Sequence, residues 1–230
     1  MPRTQKITQI RMALIRFLAL TFIIAITFPI SNAFSADKSN PHQIIQNKTD
    51  DLAEAIKLIK AGSPQNALNL LDSADPRYQK DNDYYYFIRA RALQELKRDL
   101  DAFENYTISI YINPKSHKAF VNRGLTKGAL RQLDGAIEDF TKSIQIKNDN
   151  PVAYLNRGVT YAGMNDLPKA LLDFDRALKY DKNYIDAYRN RGITLFYTKQ
   201  NKLACQDWRK AVSLGANDIK QWIVAYCKSK

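Results

Sequence analysis

Glycine, proline and histidine are scarce in this sequence. Its 230 residues include only 8 glycines, 8 prolines and 2 histidines, and so few turn-forming residues are untypical of an all-β chain. Two histidines leave little room for a histidine-based active site. The sequence also lacks a phosphate-binding glycine-rich loop, a paired-histidine metal motif and a serine in a nucleophile elbow. We therefore expect a protein that is not an enzyme, with no catalytic residue, cofactor or metal site.

A long apolar run is also missing. The uncharged stretch 17–30 is shorter than the roughly 20 residues that a membrane span needs. It follows a basic start without acidic residues and precedes the small-x-small sequence Ser31-Asn32-Ala33, the layout of a secretory signal peptide. We predict a signal peptide over residues 1–33 and an exported, periplasmic or secreted protein with no stable membrane anchor after cleavage. The alternative is a retained anchor.

Cleavage would also change the charge. The whole chain has a net charge of +12, and residues 1–33 contain four basic and no acidic side chains, so the remainder would carry +8. Its basic residues are spread along the chain rather than clustered, which favours solubility over one patch for a polyanion.

Most of the sequence is an internal repeat. Asn122-Arg123-Gly124 recurs at 156–158 and again at 190–192, a spacing of 34 residues. Other positions keep the same step, including Ala119, Ala153 and Ala187; Ala136, Ala170 and Ala204; and Asp139-Phe140, Asp173-Phe174 and Asp207-Trp208. A fixed period of this length is typical of a repeat architecture.

Each repeat unit is predicted to form two helices. Within 151–163, large and small residues recur at steps of three and four, the period of a helix face. Pro168 then starts a second helix. Gly158 and Ala170 are small enough to let the two helix backbones approach closely, so a large side chain at Gly158 should cost about 1–3 kcal/mol by overpacking.

The repeated pattern resembles that of the tetratricopeptide repeat family. In that family large-x-x-x-Gly-x-x-large is followed by Ala-x-x-x-aromatic-x-x-small, and the matching residues of one unit are Tyr154, Gly158, Tyr161, Ala170, Phe174 and Ala177. The sequence departs from the pattern where Lys127 and Leu195 replace the aromatic residue found at Tyr161.

The resemblance covers about residues 49–218 and implies an all-α fold. The expected architecture is a right-handed superhelix of stacked helical hairpins with a concave groove lined by the first helix of each hairpin. Its five units are expected at 49–82, 83–116, 117–150, 151–184 and 185–218. We predict helices over 51–61 and 65–74 in the first unit, a linker over 34–48, and a capping helix over 218–230 whose start Asp218 would cap.

One asparagine per unit forms what we call the amide row: Asn122, Asn156 and Asn190. The resemblance places this position in the groove. A side-chain amide both donates and accepts hydrogen bonds, so a row of amides could pair with the backbone of an extended peptide. The alternative is that Asn-Arg-Gly is simply a common variant of the repeat.

Other expected groove positions are mostly apolar. Leu125, Val159 and Ile193, which we call the apolar row, recur at the repeat spacing. Tyr84, Phe87 and Ile88 lie early, and Arg189, Phe196 and Tyr197 lie late. These residues indicate an amphipathic peptide partner, although some of the aromatic residues could pack only within the scaffold.

Each arginine of the repeat has a partner sixteen residues later. The pairs are Arg123 with Asp139, Arg157 with Asp173, and Arg191 with Asp207, while Arg89 is followed by Asn105. This offset puts both residues in one helical hairpin and predicts a structural ion pair, for which the forked guanidinium is well suited. A basic stripe that binds an acidic ligand is the alternative.

The two cysteines are predicted to form a disulfide. Leu214-Gly215-Ala216 turns between Cys205 and Cys227, and similar numbers of residues on either side bring the two side by side in an antiparallel pair. An exported protein tolerates such a bond, which would clip the capping helix onto the last unit. The alternative is two buried thiols.

These features favour a non-enzymatic scaffold or adaptor that binds a peptide or a segment of another protein in its groove, in the bacterial cell envelope. A basic binder of an anionic polymer or membrane surface is the alternative, and a structural spacer or minor enzyme subunit is a third. Export argues against a nucleic-acid partner. The oligomeric state is left open by the sequence.

Overall fold

The structure, a computed structural model, describes residues 41–73 and 81–227, with side chains from residue 51 onward. The predicted signal peptide, residues 1–33, lies outside the described residues. In the part of the chain that is described, no helix is both long enough and apolar enough to cross a membrane.

Within residues 41–73 and 81–227 the regular structure is entirely helical. The helices are α1 (Pro41–Lys60), α2 (Pro64–Ser73), α3 (Asp83–Glu95), α4 (Asp99–Ile112), α5 (His117–Ala129), α6 (Leu133–Ile146), α7 (Pro151–Gly163), α8 (Leu167–Tyr180), α9 (Ile185–Tyr197), α10 (Asn201–Ser213) and α11 (Lys220–Tyr226). A turn of 3-10 helix, Asn217–Ile219, precedes α11.

The first ten helices pair into five hairpins, α1/α2 to α9/α10, and each second helix packs on the first helix of the next hairpin. The first helices also contact one another along the array: α1 with α3, α5 with α7, and α7 with α9. The second helices contact one another less. The first helices therefore form the inner side of the array, and this architecture is the predicted all-α solenoid of stacked hairpins.

Two boundaries differ from the predictions. Helix α1 begins at Pro41 rather than at Asp51, so residues 41–48 of the predicted linker are helical. Proline suits the first position of a helix, and the sequence has no further proline or glycine before Gly62. Asp218 does not cap α11, because Ile219 holds the capping position without a side-chain hydrogen bond.

The small residues of the repeat lie where the two helices of a hairpin meet. A Cβ atom at Gly158 would lie 2.8 Å from Cε1 of Phe174 and 3.2 Å from the carbonyl oxygen of Ala170. Gly124 has the same relation to Phe140, and Gly192 to Trp208. These aromatic rings are almost completely buried, so the missing side chain of each glycine is what lets the ring fill the hairpin.

Four hairpins turn through a residue with left-handed backbone. These residues have φ between 59° and 63° and are spaced by 34 residues: Lys97, Arg131, Asn165 and Lys199. The turn closes with the backbone N–H of Arg131 donating to the carbonyl of Gly128, and that of Gln132 to Lys127. Glycine and asparagine favour this conformation, so the two lysines and Arg131 are held in it by the hairpin.

A large side chain at Gly158 should destabilise the protein. Gly158→Leu forces a side chain against Phe174 and Ala170, and we expect a loss of about 1–3 kcal/mol in the free energy of unfolding. Gly163→Leu is the matched control in the same helix, because a Cβ atom there meets nothing within 4 Å. Urea denaturation compares the two variants, and equal losses would contradict the role given to Gly158.

Arg131→Gly should stabilise the protein. Left-handed backbone costs a residue with a side chain about 1–2 kcal/mol, and glycine removes this cost. Part of the resulting gain in stability is offset by the greater freedom of glycine in the unfolded chain. We expect a net gain of about 0.5–1 kcal/mol, measured as a higher thermal midpoint. Gln132→Gly, at a φ of −89°, should show no such gain.

Candidate functional site

The three asparagines of the amide row have the same geometry. In each, the side-chain Nδ2 donates to the backbone carbonyl four residues earlier in the same helix, at 2.9 Å for Asn122, 2.8 Å for Asn156 and 2.8 Å for Asn190. The carbonyls belong to Lys118, Val152 and Asp186. One internal hydrogen bond therefore fixes the orientation of each amide.

Each of these amides keeps further hydrogen-bonding capacity. An amide group has two N–H donors and a carbonyl acceptor, and the bond to the helix uses one donor. Among the described residues, no hydrogen bond reaches the Oδ1 atom of any of the three side chains. All three are half-buried rather than exposed. The row thus presents three equivalently oriented amides on the first helices, each with an acceptor that no described residue uses.

The apolar row lies beside the amide row. Leu125, Val159 and Ile193 each follow an asparagine by three residues, which places them on the same helix face. Leu125 is 37% exposed and Val159 is 42% exposed, while Ile193 is half-buried. Exposed leucine and valine in register with the amides make this strip of the first helices partly apolar.

The early aromatic segment differs from its prediction. Phe87 and Ile88 were expected in the groove, but both are buried in the core of the first hairpins. Only Tyr84 reaches solvent, 47% exposed, and its ring stacks on that of Phe87. The position of Phe87 is also buried in the next two repeats, where Val121 and Leu155 hold it, so it is a core position of the repeat. Ile88 stands at the position of the amide-row asparagines and is buried because α3 packs on α1 and α2 as well as on α4.

At the late end, Arg189 is engaged by two carboxylates. Its guanidinium donates to Asp186 at 2.6 Å and to Asp218 at 3.0 Å. The interaction with Asp218 joins α9 to the turn before the capping helix. Arg189 is therefore already neutralised within the protein. Tyr197, 69% exposed, is the predicted late residue that remains open to a ligand.

The structure brings the predicted arginine and aspartate pairs together. Each arginine makes two parallel hydrogen bonds, of 2.7–2.8 Å, to both carboxylate oxygens of its partner: Arg123 to Asp139, Arg157 to Asp173, and Arg191 to Asp207. The three aspartates are buried. This bidentate arrangement is what a guanidinium forms best, and it uses the arginines structurally.

A third contact of each arginine reaches the preceding hairpin. Nη1 of Arg123 donates to Thr107 Oγ1 at 3.3 Å, and that of Arg157 donates to Thr141 Oγ1 at 2.9 Å. In the last hairpin, Asp175 takes the place of the threonine and accepts from Arg191. One arginine thus connects a first helix to two successive second helices.

The second hairpin uses a different partner. Arg89 Nη1 donates to the side-chain oxygen of Asn105 at 3.1 Å, and its Nε donates to Asp72 at 2.9 Å. Asn105 supplies no charge, and the carboxylate of the preceding hairpin replaces it. The arginine therefore still links neighbouring hairpins in the repeat where Asn105 replaces the aspartate.

Hydrogen bonds hold the charged state of the arginines. Those to Asp173 raise the pKa of the Arg157 guanidinium, and those to Asp207 raise the pKa of Arg191 in the same way. Since arginine is already protonated at any physiological pH, these shifts mean that the guanidinium side of each bridge stays charged.

Two further rows were missed by the sequence reasoning. Thr126, Thr160 and Thr194 donate to the backbone carbonyls of the three amide-row asparagines. Thr107 and Thr141 accept from the arginines, as described above. The signal was available, because both sets recur every 34 residues. A threonine in a helix usually forms a hydrogen bond to its own helix. The spacing alone therefore did not show that Thr107 and Thr141 accept hydrogen bonds from the next hairpin.

The capping helix is tied to the last hairpin by both chemistry and packing. Cys205 and Cys227 form a disulfide with a Cα–Cα distance of 5.6 Å. The rings of Trp208 and Trp222 meet edge to face at 5.4 Å. The disulfide therefore joins α10 to the residue that follows α11, and the cap covers the end of the core.

A row of helical hairpins with one side open to solvent defines an α-helical solenoid, a class of protein that offers an extended surface to partners. Models of the tetratricopeptide repeat match residues 117–150 and 151–184, the same bounds as the third and fourth predicted units. No protein with a curated description matches the chain.

Solved structures with the same fold include other repeat proteins. MamA from Desulfovibrio magneticus RS-1 is 19% identical over 73% of this chain and 94% of its own, with a TM-score of 0.63. Pseudomonas aeruginosa PilF is 14% identical over 76% and 79%, with a TM-score of 0.70. YrrB, described as a tetratricopeptide repeat protein with an unusual peptide-binding site, is 18% identical over 80% and 96%, with a TM-score of 0.60.

Residues 117–184 thus match two successive tetratricopeptide repeats, and the fold of the described residues is that of tetratricopeptide repeat proteins. Proteins of this kind are generally non-enzymatic scaffolds for protein–protein interaction. Within the described residues, no group of three histidine, cysteine, aspartate or glutamate side chains could hold a metal ion.

Removal of a bridging aspartate should destabilise the protein strongly. Asp139→Ala leaves Arg123 and Lys127, whose side chains are only 16% and 13% exposed, without their carboxylate, and breaking a buried ion pair from one side costs about 3–5 kcal/mol. Glu138→Ala, at the exposed neighbouring position, should change stability by no more than about 0.5 kcal/mol. Chemical denaturation measures the stability of both variants. Equal stability of the two would contradict the claim that the Arg123–Asp139 bridge stabilises the fold.

Proposed function

We propose that this protein is an adaptor that binds an extended segment of a partner protein along the inner side of its hairpin array. The observation that carries the proposal is the amide row: three equivalent amides, each oriented by one bond to its own helix and each with an acceptor left over. The open apolar row beside it supplies the contact for side chains.

Amides can recognise a backbone without reading its sequence. The free Oδ1 of each asparagine can accept from a peptide N–H, and the second amide hydrogen can donate to a peptide carbonyl. Extended peptides offer both groups at regular intervals. Side chains that point toward the apolar row would then select apolar residues, with the sequence preference coming from Leu125, Val159 and Ile193.

The repeat sets the length of the ligand. Neighbouring packed helices lie about 8–10 Å apart, and an extended chain advances about 3.3 Å per residue. One amide therefore corresponds to about three ligand residues, and a segment that contacts all three amides is on the order of seven residues or longer. Tyr197, beyond the last amide, offers one more aromatic surface at that end.

The charge distribution supports a peptide over an anionic polymer. The arginines that recur in every repeat, Arg123, Arg157 and Arg191, are bound to buried aspartates, and Arg189 is bound to two solvent-accessible aspartates, Asp186 and Asp218. These cations are not available to phosphate or acidic sugar groups. The net positive charge then belongs to scattered surface residues, which give solubility more than a binding patch.

We further propose that the protein acts outside the cytoplasm, in the cell envelope. The basic, apolar and small-residue order over residues 1–33 supports export. The disulfide between Cys205 and Cys227 is of a kind that forms and persists in oxidising compartments.

Loss of the amide row should abolish most of the affinity for an extended peptide. Peptides of eight to twelve residues are first selected with the parent protein from a random display library, and their dissociation constants are measured by fluorescence anisotropy. Three hydrogen bonds at about 0.5–1.5 kcal/mol each predict that the Asn122→Ala, Asn156→Ala, Asn190→Ala variant binds at least tenfold more weakly.

The matched control also replaces three asparagines. Asn148, Asn183 and Asn217 are exposed and lie between helices or at the cap, so their triple alanine variant should bind like the parent. Affinity should also persist from about 50 to 300 mM salt, whereas binding to a polyanion would fall steeply. Parent-like binding by the amide-row variant would refute the proposal.

A further inference from the structure

A cavity of about 320 Å³ lies between α8, α9 and α10, and no residue of the amide row or the apolar row lines it. Its apolar wall is formed by Leu171, Leu195 and Leu203, and its polar lining includes Asp175, Asp207 and the guanidinium of Arg191. Asp175 and Leu203 are exposed at its mouth. The cavity therefore combines an apolar interior with carboxylates and is open to a small group from solvent.

The repeat provides an internal reference for this cavity. Two repeat steps earlier, Lys127 stands where Leu195 stands in the last hairpin, and Asp139 stands where Asp207 stands. The Lys127 side chain is almost buried, and its Nζ lies 3.1 Å from Asp139 Oδ2 and 3.2 Å from the carbonyl oxygen of Gly135. In the third hairpin, an alkylammonium group thus occupies the equivalent space and pairs with the equivalent carboxylate.

The fourth hairpin fills the same space in another way. Tyr161 replaces Lys127, and Lys169, at the position of Leu203, places its ammonium 5.3 Å from the centre of the tyrosine ring. The third hairpin has Lys127 at the first of these positions and Gly135 at the second, whereas the fourth has Tyr161 and Lys169, so each earlier hairpin has one lysine there. In the last hairpin leucine stands at both positions, which leaves the space open and removes the ammonium.

The charge balance of the last hairpin differs accordingly. Arg191 is shared between Asp207, which is buried, and Asp175, which replaces the threonine of the earlier hairpins. The lining therefore holds two carboxylates and one guanidinium, an excess of one negative charge on a chain whose net charge is +12. A negative, partly apolar cavity on a basic protein is complementary to a cation with a short hydrocarbon stem.

We infer that this cavity binds a primary alkylammonium group, of the kind carried by a lysine side chain or a free diamine. The ammonium lies against Asp175 and Asp207, as the Lys127 ammonium lies against Asp139, and its methylene groups pack on Leu171, Leu195 and Leu203. This site contains no residue of the amide row or the apolar row and does not depend on the peptide-binding proposal.

Titration with n-butylammonium tests the site directly. The methyl signals of Leu171, Leu195 and Leu203 are followed by NMR, with 1-butanol as a neutral probe of the same size. We expect saturable shifts with n-butylammonium and at least tenfold weaker binding of the alcohol, because a charge-assisted hydrogen bond is worth about 1.5–3 kcal/mol. Equal affinities, or no saturable shift, would overturn the inference.

Two variants separate the site from its surroundings. Asp175→Asn should weaken n-butylammonium binding by about tenfold or more, while Asp134→Asn, an exposed aspartate on α6, should leave it unchanged. Leu195→Lys restores the side chain of the third hairpin, so its own ammonium should fill the cavity and block the probe while the protein stays folded. Unchanged binding by folded Leu195→Lys protein would contradict the assignment.

The biological source of the ammonium is distinguished by a second pair of probes. The two probes are Nα-acetyl-lysine amide and 1,5-diaminopentane. If the lysine amide binds more tightly, and loses binding when its Nε is acetylated, the site is assigned to a lysine of a partner protein. The reverse order would assign it to a free diamine. Failure of both probes would overturn the inference even if the peptide groove binds as proposed.

Discussion

The arginine of each repeat is the interaction on which the array depends. One guanidinium binds both oxygens of a buried aspartate in its own hairpin and reaches a threonine or aspartate of the hairpin before it. A single side chain thus links three helices. The fork holds each of these arginines in a fixed orientation against the aspartate of its own hairpin, and the third contact ties that pair to the hairpin before it.

The Asn-Arg-Gly triplet divides three tasks among three successive residues. Successive residues of a helix point about 100° apart, so the asparagine binds a carbonyl of its own helix, the arginine faces the neighbouring second helices, and the glycine faces the aromatic ring of its own hairpin. None of these residues could move to another position of the triplet without losing its partner. The same geometry that builds the scaffold therefore also places an oriented amide on the open side at every step.

The spacing of 34 residues predicted the hairpins, the sixteen-residue offset predicted the arginine bridges, and the turn at Leu214-Gly215-Ala216 predicted the meeting of Cys205 with Cys227. Each of these depends on contacts within one repeat or between consecutive helices. Positions that depend on the ends of the array were predicted less well. Ile88 stands at the position of the amide-row asparagines, yet it is buried where α3 meets the first hairpin. Arg189 was also predicted to line the groove, yet it forms an ion pair with Asp218 at the cap. The cap lies outside the repeats, so the repeat spacing could not predict this contact.

By itself, the sequence determined that this protein is a stack of helical hairpins, because its period, its small residues and its charge pairs are local features that recur from one repeat to the next. Tertiary structure decided which side chains remain open. The free acceptors of the amide row, the neutralised Arg189 and the cavity beside Leu195 each result from neighbours far apart in sequence. A side chain's availability is a property of everything packed around it, and that becomes defined only when the hairpins are stacked.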